Sequence, residues 1–423
     1  MKRSGKALFS QLGELRDLQV MEEWVQRLGA SDDPVTGVLM QFASTHEAEF
    51  RRKSAEALQV FDRDQWRKWS RELSRRAARI RPGSLIFKHL ALERWMEAYD
   101  LHRRALRSRS QVAFHQLRIG LKRFRYIVEN FLPEQHEKWI DDLKELQDLL
   151  GEVHDLDVLW TTALEINAFD SPASRSGWHA RVVDERNHRI ESYRHKTIGR
   201  DSLWQQWRAE LPADEAVEKA ATARLRLWAS TLDPDFKHSQ HVARLAVRLY
   251  DALPLTKPEC SKEDRSILQL AAFLHDVGLA KKQKGHHKAT YRLIEKLKPP
   301  LGCSAEKLRL VGAVARYHRG ALPRAQQRSL TGLTADRRKT AVELAGILRL
   351  ANAFDFDRSG SISNLQLKEE GRIVVIQAQG YNSRSRMAEN IAAARHLLET
   401  VCRRPILIRP LIVRKTTLRR KAA

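Results

Sequence analysis

Apolar positions recur with helical spacing over most of the first 360 residues, whereas strand-like runs are confined to the end of the chain. Residues 365–379, LQLKEEGRIVVIQAQ, predict two strands around a glycine-containing turn. A predicted helix, MAENIAAARHLLETV (387–401), and a final apolar run, RPILIRPLI (404–412), follow them. Turn-forming stretches separate the helices at 31–34 (SDDP), 81–84 (RPGS) and 171–174 (SPAS). The pattern predicts a mainly α protein with a small C-terminal α/β part and a frayed basic tail.

One predicted helix, FHQLRIGLKRFRYIVENF at 114–131, has two faces of opposite character. At about 100° per residue, the apolar side chains share one arc of the helical wheel, and these are Leu117, Leu121, Phe124 and Val128. The cationic arc opposite to it is formed by His115, Arg118, Lys122 and Arg125. One face is therefore expected to enter a core while the other presents a row of cations.

The composition extends this cationic character to the whole chain. The 423 residues predict two or three domains, and 76 Lys and Arg against 52 Asp and Glu give a net charge of +24. This excess favours a polyanionic partner, which can be nucleic acid, anionic lipid or a phosphate polymer. Residues 101–128 hold eight Lys or Arg, including Arg103 and Arg104, and no acid. Such a run is either a solvated face or a ligand surface.

The localisation expected from the sequence is cytoplasmic. The cysteines, Cys260, Cys303 and Cys402, are too scattered to indicate disulfides or a thiolate metal site. No apolar run is long enough to span a bilayer, and the N-terminal residues lack the apolar core of a signal peptide. We therefore expect no membrane insertion.

An internal repeat organises the first half of the chain. LGELRDLQV at 12–20 and LGEVHDLDV at 150–158 agree at six of nine positions. His115 precedes Gly151 by 36 residues, and the same offset from Gly13 falls before Met1. The first copy is thus expected to lack its basic helix, unless the chain starts earlier than Met1. Asp155 is expected to pair with nearby arginines or to cap a helix.

The basic helix followed by LKELQDLLGEVHDLDVL resembles the conserved histidine α-helical domain, CHAD, over roughly residues 1–212. The resemblance implies a helical bundle whose basic groove binds inorganic polyphosphate. The implied ligand-facing side chains are His115, Arg118, Lys122 and Arg125 with Arg123 beside them, and the neighbouring Arg103 and Arg104 extend the set. A binder of single-stranded nucleic acid would interleave aromatic rings with its cations, but only Tyr126 shares this cationic face. Polyphosphate is favoured, and RNA or DNA remains an alternative.

A second group of motifs carries different chemistry. They are HSQHVARLAVRL from 238, AAFLHDVG at 271–278, GHHKATYRLI at 285–294 and ARYHRGALP at 315–323. Imidazole and carboxylate groups in this combination suit Mn²⁺, Fe²⁺ or Mg²⁺. A metal so held lowers the pKa of bound water and can support cleavage of phosphoester or phosphoanhydride bonds.

These motifs resemble the HD superfamily, and most closely the C-terminal region of the exopolyphosphatase and guanosine pentaphosphate phosphohydrolase family, over about residues 217–412. The resemblance implies an HD domain at 217–360 and an α/β extension at 361–423. The metal ligands it implies are His238, His275 and Asp276, while His287 and His318 would serve a second metal or the phosphate. Asn352 stands where the family usually has a fourth-ligand aspartate, and Asp355, one turn on, is expected to substitute for it.

Other polar groups near these motifs receive weaker assignments. His286 is expected to be exposed or to support a ligand, and His241 to pack or face solvent. The cluster Lys281, Lys282, Lys284 and Lys288 is either a solvated loop or a guide for phosphate.

The function expected from the sequence is polyphosphate binding, with metal-dependent HD phosphohydrolase activity as a further hypothesis. In the exopolyphosphatases that the chain resembles, cleavage belongs to a separate ATPase-like domain, and no glycine-rich phosphate loop occurs here. The alternatives are therefore a non-catalytic module for polyphosphate granules with an inert HD scaffold, or a nucleic-acid binder. The sequence does not give the oligomeric state.

Overall fold

A computed structural model describes residues 2–30, 32–253 and 261–411. The chain divides into two compact units, Met1–Ala213 and Asp214–Ala423. Helices dominate both units, and three strands occur near the end of the described chain, so the prediction of a mainly α fold with a small α/β part is confirmed. Cys260 and the basic tail at 413–423 lie outside the described residues.

The first unit is helical throughout its described residues. Its helices are α1 (Lys2–Leu28), α2 (Pro34–Val60), α3 (Arg63–Ala77), α4 (Leu85–Ser108), α5 (Gln111–Phe131), α6 (Pro133–Glu165), α7 (Pro172–Thr197) and α8 (Leu203–Ala209). Polar caps start several of them, because a side-chain oxygen satisfies a free N–H of the first turn. Asp33 accepts from Val35 N, Ser110 from Ala113 N and Ser171 from Ser174 N.

Helix α5 packs between α4 and α6. Its predicted apolar face is fully buried, with Leu117, Leu121, Phe124 and Val128 at 0% exposure. The approach to α4 is close at Gly120, where an added Cβ would lie 2.7 Å from Leu101 Cδ1. Because α1 packs against α6, the two copies of the internal repeat lie on neighbouring helices.

The second unit begins with helices and ends with the sheet. Its elements are α9 (Asp214–Leu232), α10 (Phe236–Ala252), α11 (Lys262–Leu274), a short 3-10 helix (Val277–Ala280), α12 (His286–Glu295), α13 (Ala305–Arg316), α14 (Arg328–Thr331), α15 (Ala335–Ala353), β1 (Asn364–Glu370), β2 (Ile373–Gln379), α16 (Arg386–Cys402) and β3 (Ile406–Pro410). β1 pairs antiparallel with β2 around Gly371, whose φ is 63°, and β2 pairs parallel with β3 through the α16 crossover.

The small sheet shares its core with the helices. Val374 and Ile376 of β2 belong to the same buried cluster as Leu344 of α15 and Leu398 of α16. Gly346 permits the approach of α15 to α16, since an added Cβ would lie 3.3 Å from the Leu398 backbone. The last helical segment and the sheet are therefore packed on the helices that carry the site described next.

Candidate functional site

Five buried side chains of the second unit meet at one point, the His–Asp centre. They come from the ends of four helices, where backbone turns bring side chains inward: His238 from the first turn of α10, His275 and Asp276 from the end of α11, His286 from the start of α12 and His318 from the segment after α13. None of these residues is more than 5% exposed. Thr290 holds the His275–Asp276 turn by donating to His275 O at 2.8 Å and accepting from Gly278 N at 3.0 Å.

One carboxylate oxygen of Asp276 faces three imidazoles. Its Oδ1 lies 3.1 Å from His286 Nε2, 3.6 Å from His275 Nε2 and 3.7 Å from His318 Nε2. Two overlapping triplets have all their ligand atoms within 4.8 Å of one another: His238 with His275 and Asp276, and Asp276 with His286 and His318. Asp276 thus belongs to two groups that can each hold a metal ion.

Backbone contacts fix the orientation of three of these rings. Nδ1 of His275, His286 and His318 lies 2.7, 3.0 and 2.8 Å from the carbonyl oxygens of Ala272, Gln283 and Ala315, respectively. A carbonyl oxygen only accepts, so each Nδ1 carries the proton and a neutral ring turns an Nε2 lone pair toward Asp276. His275 Nε2 is buried with no hydrogen-bond partner. Lone pairs gathered around a carboxylate repel one another unless a cation lies among them, so the donor set fits a divalent metal.

Burial favours the neutral form of the His275 and His318 rings, and the contacts of Asp276 keep its carboxylate ionised. Burial lowers the pKa of His275 and of His318, against the opposing effect of Asp276. For Asp276, burial alone would raise the pKa, but the surrounding histidines, His275 first, hold it well below its usual range. Neutral imidazoles and a charged carboxylate are the protonation states that metal ligands require.

Asp355 lies behind His238 and not among the converging ligand atoms. Its Oδ2 accepts from His238 Nδ1 at 2.7 Å, and its Oδ1 accepts from Gly360 N at 2.8 Å. His238 Nε2, on the opposite side of the ring, is 3.0 Å from Asn352 Oδ1. Asp355 therefore lies on the Nδ1 side of His238 and Asn352 on its Nε2 side, and the substitution of Asp355 for Asn352 as a ligand stays a prediction.

Arg358 contacts Asp276 from the side away from the histidines. Its Nη2 is 2.6 Å from Asp276 Oδ2, and its Nη1 is 3.1 Å from Asp235 Oδ2. The arginine has a left-handed backbone with φ of 58°, a conformation that costs free energy in a residue with a Cβ. This contact fixes the rotation of Asp276, so that Oδ1 faces the imidazoles. No motif in the sequence indicated Arg358 as a residue of the centre.

Of the two consecutive histidines that begin α12, the structure brings His286 and not His287 to the centre. The His287 ring is 6.0 Å from that of His286 and 6.3 Å from that of His318, and its Nε2 lies where a Cβ on Gly320 would come within 2.9 Å. His286 is 4% exposed and contacts Asp276, so the expectation of an exposed His286 is wrong, while its supporting role stays a prediction. The cause is Gly285, whose φ of 76° starts α12 so that its first residue faces inward.

A row of basic side chains that no sequence motif indicated runs beside the centre. The cations Lys237, Arg244 and Arg248 follow one another on one face of α10, and the neutral His241 lies between them, since burial lowers the pKa of its ring. With Arg358 they line a groove of about 470 Å³ that also includes His238. No carboxylate among the described residues lies within ion-pairing distance of these four side chains. The i, i+4, i+7, i+11 spacing would have revealed the row, which we call the α10 cation row.

In the first unit, the cations predicted on α5 differ in their contacts. Arg118 is half-buried and its Nε has no hydrogen-bond partner, while Lys122 Nζ lies 5.7 Å over the Tyr126 ring. Neither has a carboxylate within ion-pairing distance among the described residues. Arg125 Nε is 3.9 Å from Glu129. By contrast, the exposed Arg123 is paired with Glu97 at 3.0 Å.

The remaining predicted groups of this surface lie around α5. The His115 ring is 4.8 Å from that of His154 on α6, and its Nδ1 is buried without a partner. Arg103 and Arg104 are exposed on α4. No ion pair of theirs occurs in the part of the chain that the structure describes. We call the set of unpaired cations Arg118, Lys122, Arg103 and Arg104 the α5 cationic surface.

Asp155 neither caps a helix nor forms an ion pair with a described arginine, which corrects the expectation from the sequence. It lies in the middle of α6. Burial raises its pKa to about 6, and the charges of Arg118 and Asp17 act on it in opposite directions. Burial also raises the pKa of Asp17, its counterpart in the other repeat copy. Asp157 is the carboxylate that pairs, with Arg186 at 2.8 Å.

Comparisons with known proteins agree with the two groups of residues. Residues 1–164 match the family model of the CHAD domain, and residues 222–391 match that of the Ppx/GppA phosphatase, domain III. The curated proteins include no match. None of the described helices combines the length and the apolar composition that a membrane span requires. The two matches support a polyphosphate-related function, as binding or as phosphohydrolysis, and give no support to a nucleic-acid partner. Residues 1–164 are therefore similar to CHAD domains, and residues 222–391 are similar to domain III of Ppx/GppA phosphatases.

Proposed function

We propose that the first unit binds inorganic polyphosphate along the α5 cationic surface. The observation that carries this proposal is the half-buried guanidinium of Arg118, whose buried Nε has no acceptor. A buried charged donor without a partner is costly, and a phosphate oxygen would satisfy it through a charge-assisted hydrogen bond. Lys122, one turn further along α5, offers a second cation to the same chain.

The test is a titration of the full chain with polyphosphate at fixed ionic strength. Replacing Arg118 and Lys122 by alanine should weaken binding by roughly tenfold or more, because two charge-assisted contacts are lost. The matched control replaces Arg123 and Lys138 by alanine. This removes the same amount of charge, but these two side chains are already paired, with Glu97 and Glu210 respectively. Equal weakening in both double variants would mean that net charge alone attracts the polymer. Displacement by single-stranded DNA at equal phosphate concentration would favour a nucleic-acid binder.

We further propose that the His–Asp centre holds a divalent metal, Mn²⁺, Mg²⁺ or Fe²⁺, and cleaves phosphoanhydride bonds. The residues that would hold it are His238, His275 and Asp276, with His286 and His318 beside Asp276. The unpartnered His275 Nε2 carries this proposal, because a buried lone pair in this donor set is what a metal ligand presents. A bound divalent ion would supply a Lewis acid and lower the pKa of coordinated water.

The protein groups around the centre have separate tasks in this proposal. Asp355 keeps His238 turned with Nε2 inward, and Arg358 keeps Oδ1 of Asp276 inward. Arg319 lines the cavity of about 110 Å³ at the centre and would bind oxygens of the phosphate under attack.

The α10 cation row favours a chain of linked phosphates as the substrate. Its side chains repeat along the helix axis, so they can neutralise several phosphates in succession. No Phe, Tyr or Trp is among the described residues that line this groove, so a nucleobase would lack a large stacking platform there.

Phosphate release from polyphosphate and from guanosine pentaphosphate, measured with Mn²⁺ or Mg²⁺, tests the proposal. The Asp276→Asn variant should abolish release, whereas Asp251→Asn, on an exposed carboxylate paired with Arg265, should leave it unchanged. Metal-dependent release that persists in Asp276→Asn would refute a reaction at this centre. Polyphosphate binding without any release would identify the chain as a binding module with an inert HD scaffold, on granules or elsewhere.

A further inference from the structure

The second unit contains a second cationic pocket. Its volume is about 220 Å³, and its wall includes Lys288 and Arg292 from α12, Arg316 and Tyr317 from the end of α13, and Gln327 and Ser329 from the segment that follows. None of its lining residues is shared with the cavity at the His–Asp centre. We call it the α12–α13 pocket.

Cations dominate the lining of this pocket. Four positive side chains, Lys288, Arg292, Arg316 and Arg328, face one carboxylate, that of Glu295. Glu295 is already occupied, since its Oε1 is 3.0 Å from Arg328 Nη2 and accepts from the Tyr291 hydroxyl at 3.4 Å. Within the described residues, no carboxylate lies within 4 Å of the other three cations. The pocket therefore retains an uncompensated positive charge.

One of these cations also has a buried donor without an acceptor. Arg316 Nη1 is inaccessible to solvent and has no hydrogen-bond partner. Its guanidinium lies 5.1 Å from the centre of the Tyr317 ring, which restrains the side chain against the pocket wall. A buried guanidinium N–H without an acceptor costs free energy, and the Arg316 guanidinium, as a lining group of the pocket, can donate to an anionic oxygen.

Neutral polar groups give the pocket a defined shape. Tyr317 is fully buried, and its hydroxyl is bonded to Gln327 Oε1 and, at 2.7 Å, to Ser329 Oγ. This network ties the segment after α13 to the end of that helix. The resulting volume is below the range of about 300–1,000 Å³ that holds a drug-sized ligand, and it suits a small anion.

From these contacts we infer that the α12–α13 pocket binds a phosphate or diphosphate group. Guanidinium groups match phosphate oxygens through paired N–H donors, and a lysine adds a point charge. The group can belong to free diphosphate or to the end of a nucleotide. The inference goes beyond the proposed function, because it assigns an anion site that needs neither the metal nor the reaction at the His–Asp centre.

The test follows the chemical reactivity of single lysines in the full chain, with a chelator present so that no hydrolysis intervenes. The protein is treated with an amine-acylating reagent at increasing concentrations of inorganic diphosphate. Mass spectrometry then measures how far each lysine is modified. Lys288 should be protected with saturation, whereas the exposed Lys284 and Lys296, which do not line the pocket, should react at an unchanged rate. These two lysines control for a general salt effect.

Substitutions in the pocket give the second arm. Arg292→Ala should raise the concentration of diphosphate needed for half protection of Lys288 by about tenfold, and Lys296→Ala, with the same loss of charge, should change it less than about twofold. Protection by ADP at a lower concentration than by diphosphate would assign the site to a nucleotide end. The inference is overturned if Lys288 remains fully reactive, if Lys284 is protected to the same extent, or if sulfate at equal concentration protects as well as diphosphate. If the His–Asp centre has no phosphohydrolase activity, the protection of Lys288 by diphosphate is unaffected, so the two proposals can fail separately.

Discussion

Asp355 can have one of two roles at the His–Asp centre: it is a metal ligand, or it orients the ring of His238. As a metal ligand, Asp355 would be essential to metal binding; as the partner of His238 Nδ1, it would only orient that ring. Asp355→Asn keeps the shape of the side chain and removes its charge. The residue is 1% exposed, and both its oxygens are used, one by His238 at 2.7 Å and one by Gly360 N at 2.8 Å.

The contacts set the expected magnitude. An asparagine can still accept one hydrogen bond through its oxygen, but its NH₂ group cannot accept the other. Loss of an orienting carboxylate behind a metal-bound histidine typically costs 10–100-fold in metal affinity, which is about 1.4–2.8 kcal/mol. We therefore expect Asp355→Asn to bind Mn²⁺ measurably but at least about tenfold more weakly than the natural sequence.

Calorimetric titration with Mn²⁺ measures the effect, and thermal unfolding without metal verifies that the variant is folded. Asp357→Asn is the matched control, because Asp357 lies in the same loop, is exposed and accepts from Ser359. It should bind Mn²⁺ as the natural sequence does, and Asp276→Asn should not bind. If Asp355→Asn loses binding as completely as Asp276→Asn, Asp355 is a ligand and the orienting role is wrong. An unchanged affinity would equally refute the argument.

Three further outcomes follow from other contacts. Asn352→Asp should tighten Mn²⁺ binding by roughly tenfold, because it puts a charged oxygen where the amide oxygen now lies 3.0 Å from His238 Nε2. Calorimetric titration with Mn²⁺ would measure this change. Weaker binding would mean that residue 352 is not on the ligand side. Burial raises the pKa of Asp155 in the folded protein to about 6. Its contribution to folding stability is therefore greatest below the pKa that it has in the unfolded chain, and this contribution is lost as the pH rises through about 6. Asp155→Asn should therefore flatten the pH dependence of thermal unfolding between pH 4 and 6. At pH 7 it should stabilise the protein by about 1 kcal/mol, allowing for residual solvent screening. An unchanged pH profile would contradict the raised pKa. The logarithm of polyphosphate affinity should fall with the logarithm of salt concentration, and Arg118→Ala with Lys122→Ala should reduce that slope by about 1.4, at about 0.7 per contact; an unaltered slope would exclude these two side chains from the contact.

The periodicity of apolar residues was sufficient to predict individual helices and strands in both units. The apolar arc of α5 is predicted by spacing alone, since burial of one helix face requires a repeat near 3.6 residues. The hairpin of β1 and β2 follows in the same way from two β-rich runs around Gly371, where a positive φ suits glycine. These features depend on neighbours in the sequence, so a single chain specifies them.

The parts of the centre that the sequence left undetermined depend on how helices begin and end. His286 and His287 are adjacent, and the choice between them rests on the left-handed turn at Gly285. Likewise, the side of the His238 ring on which Asp355 lies depends on the path of the chain after α15. Arg358 reaches Asp276 from 82 positions further along the chain. No local periodicity encodes such a contact.

The distribution of unpaired cations bears on how the two units work within one chain. In each unit, some lysines and arginines are paired with carboxylates, while others on defined helix faces are not, as Arg123 and Arg118 show on α5. Leaving selected cations unpaired is unfavourable for the free protein, because like charges on one face repel one another, and the cost is recovered only when a polyanion binds. Under the proposed function, a polymer held by the first unit would be presented to the second at the effective concentration of a tethered ligand, which for short links reaches the millimolar range. Long chains would gain from this tethering and short ones would not, so the advantage of joining the two units depends on the length of the polymer and requires no contact between them.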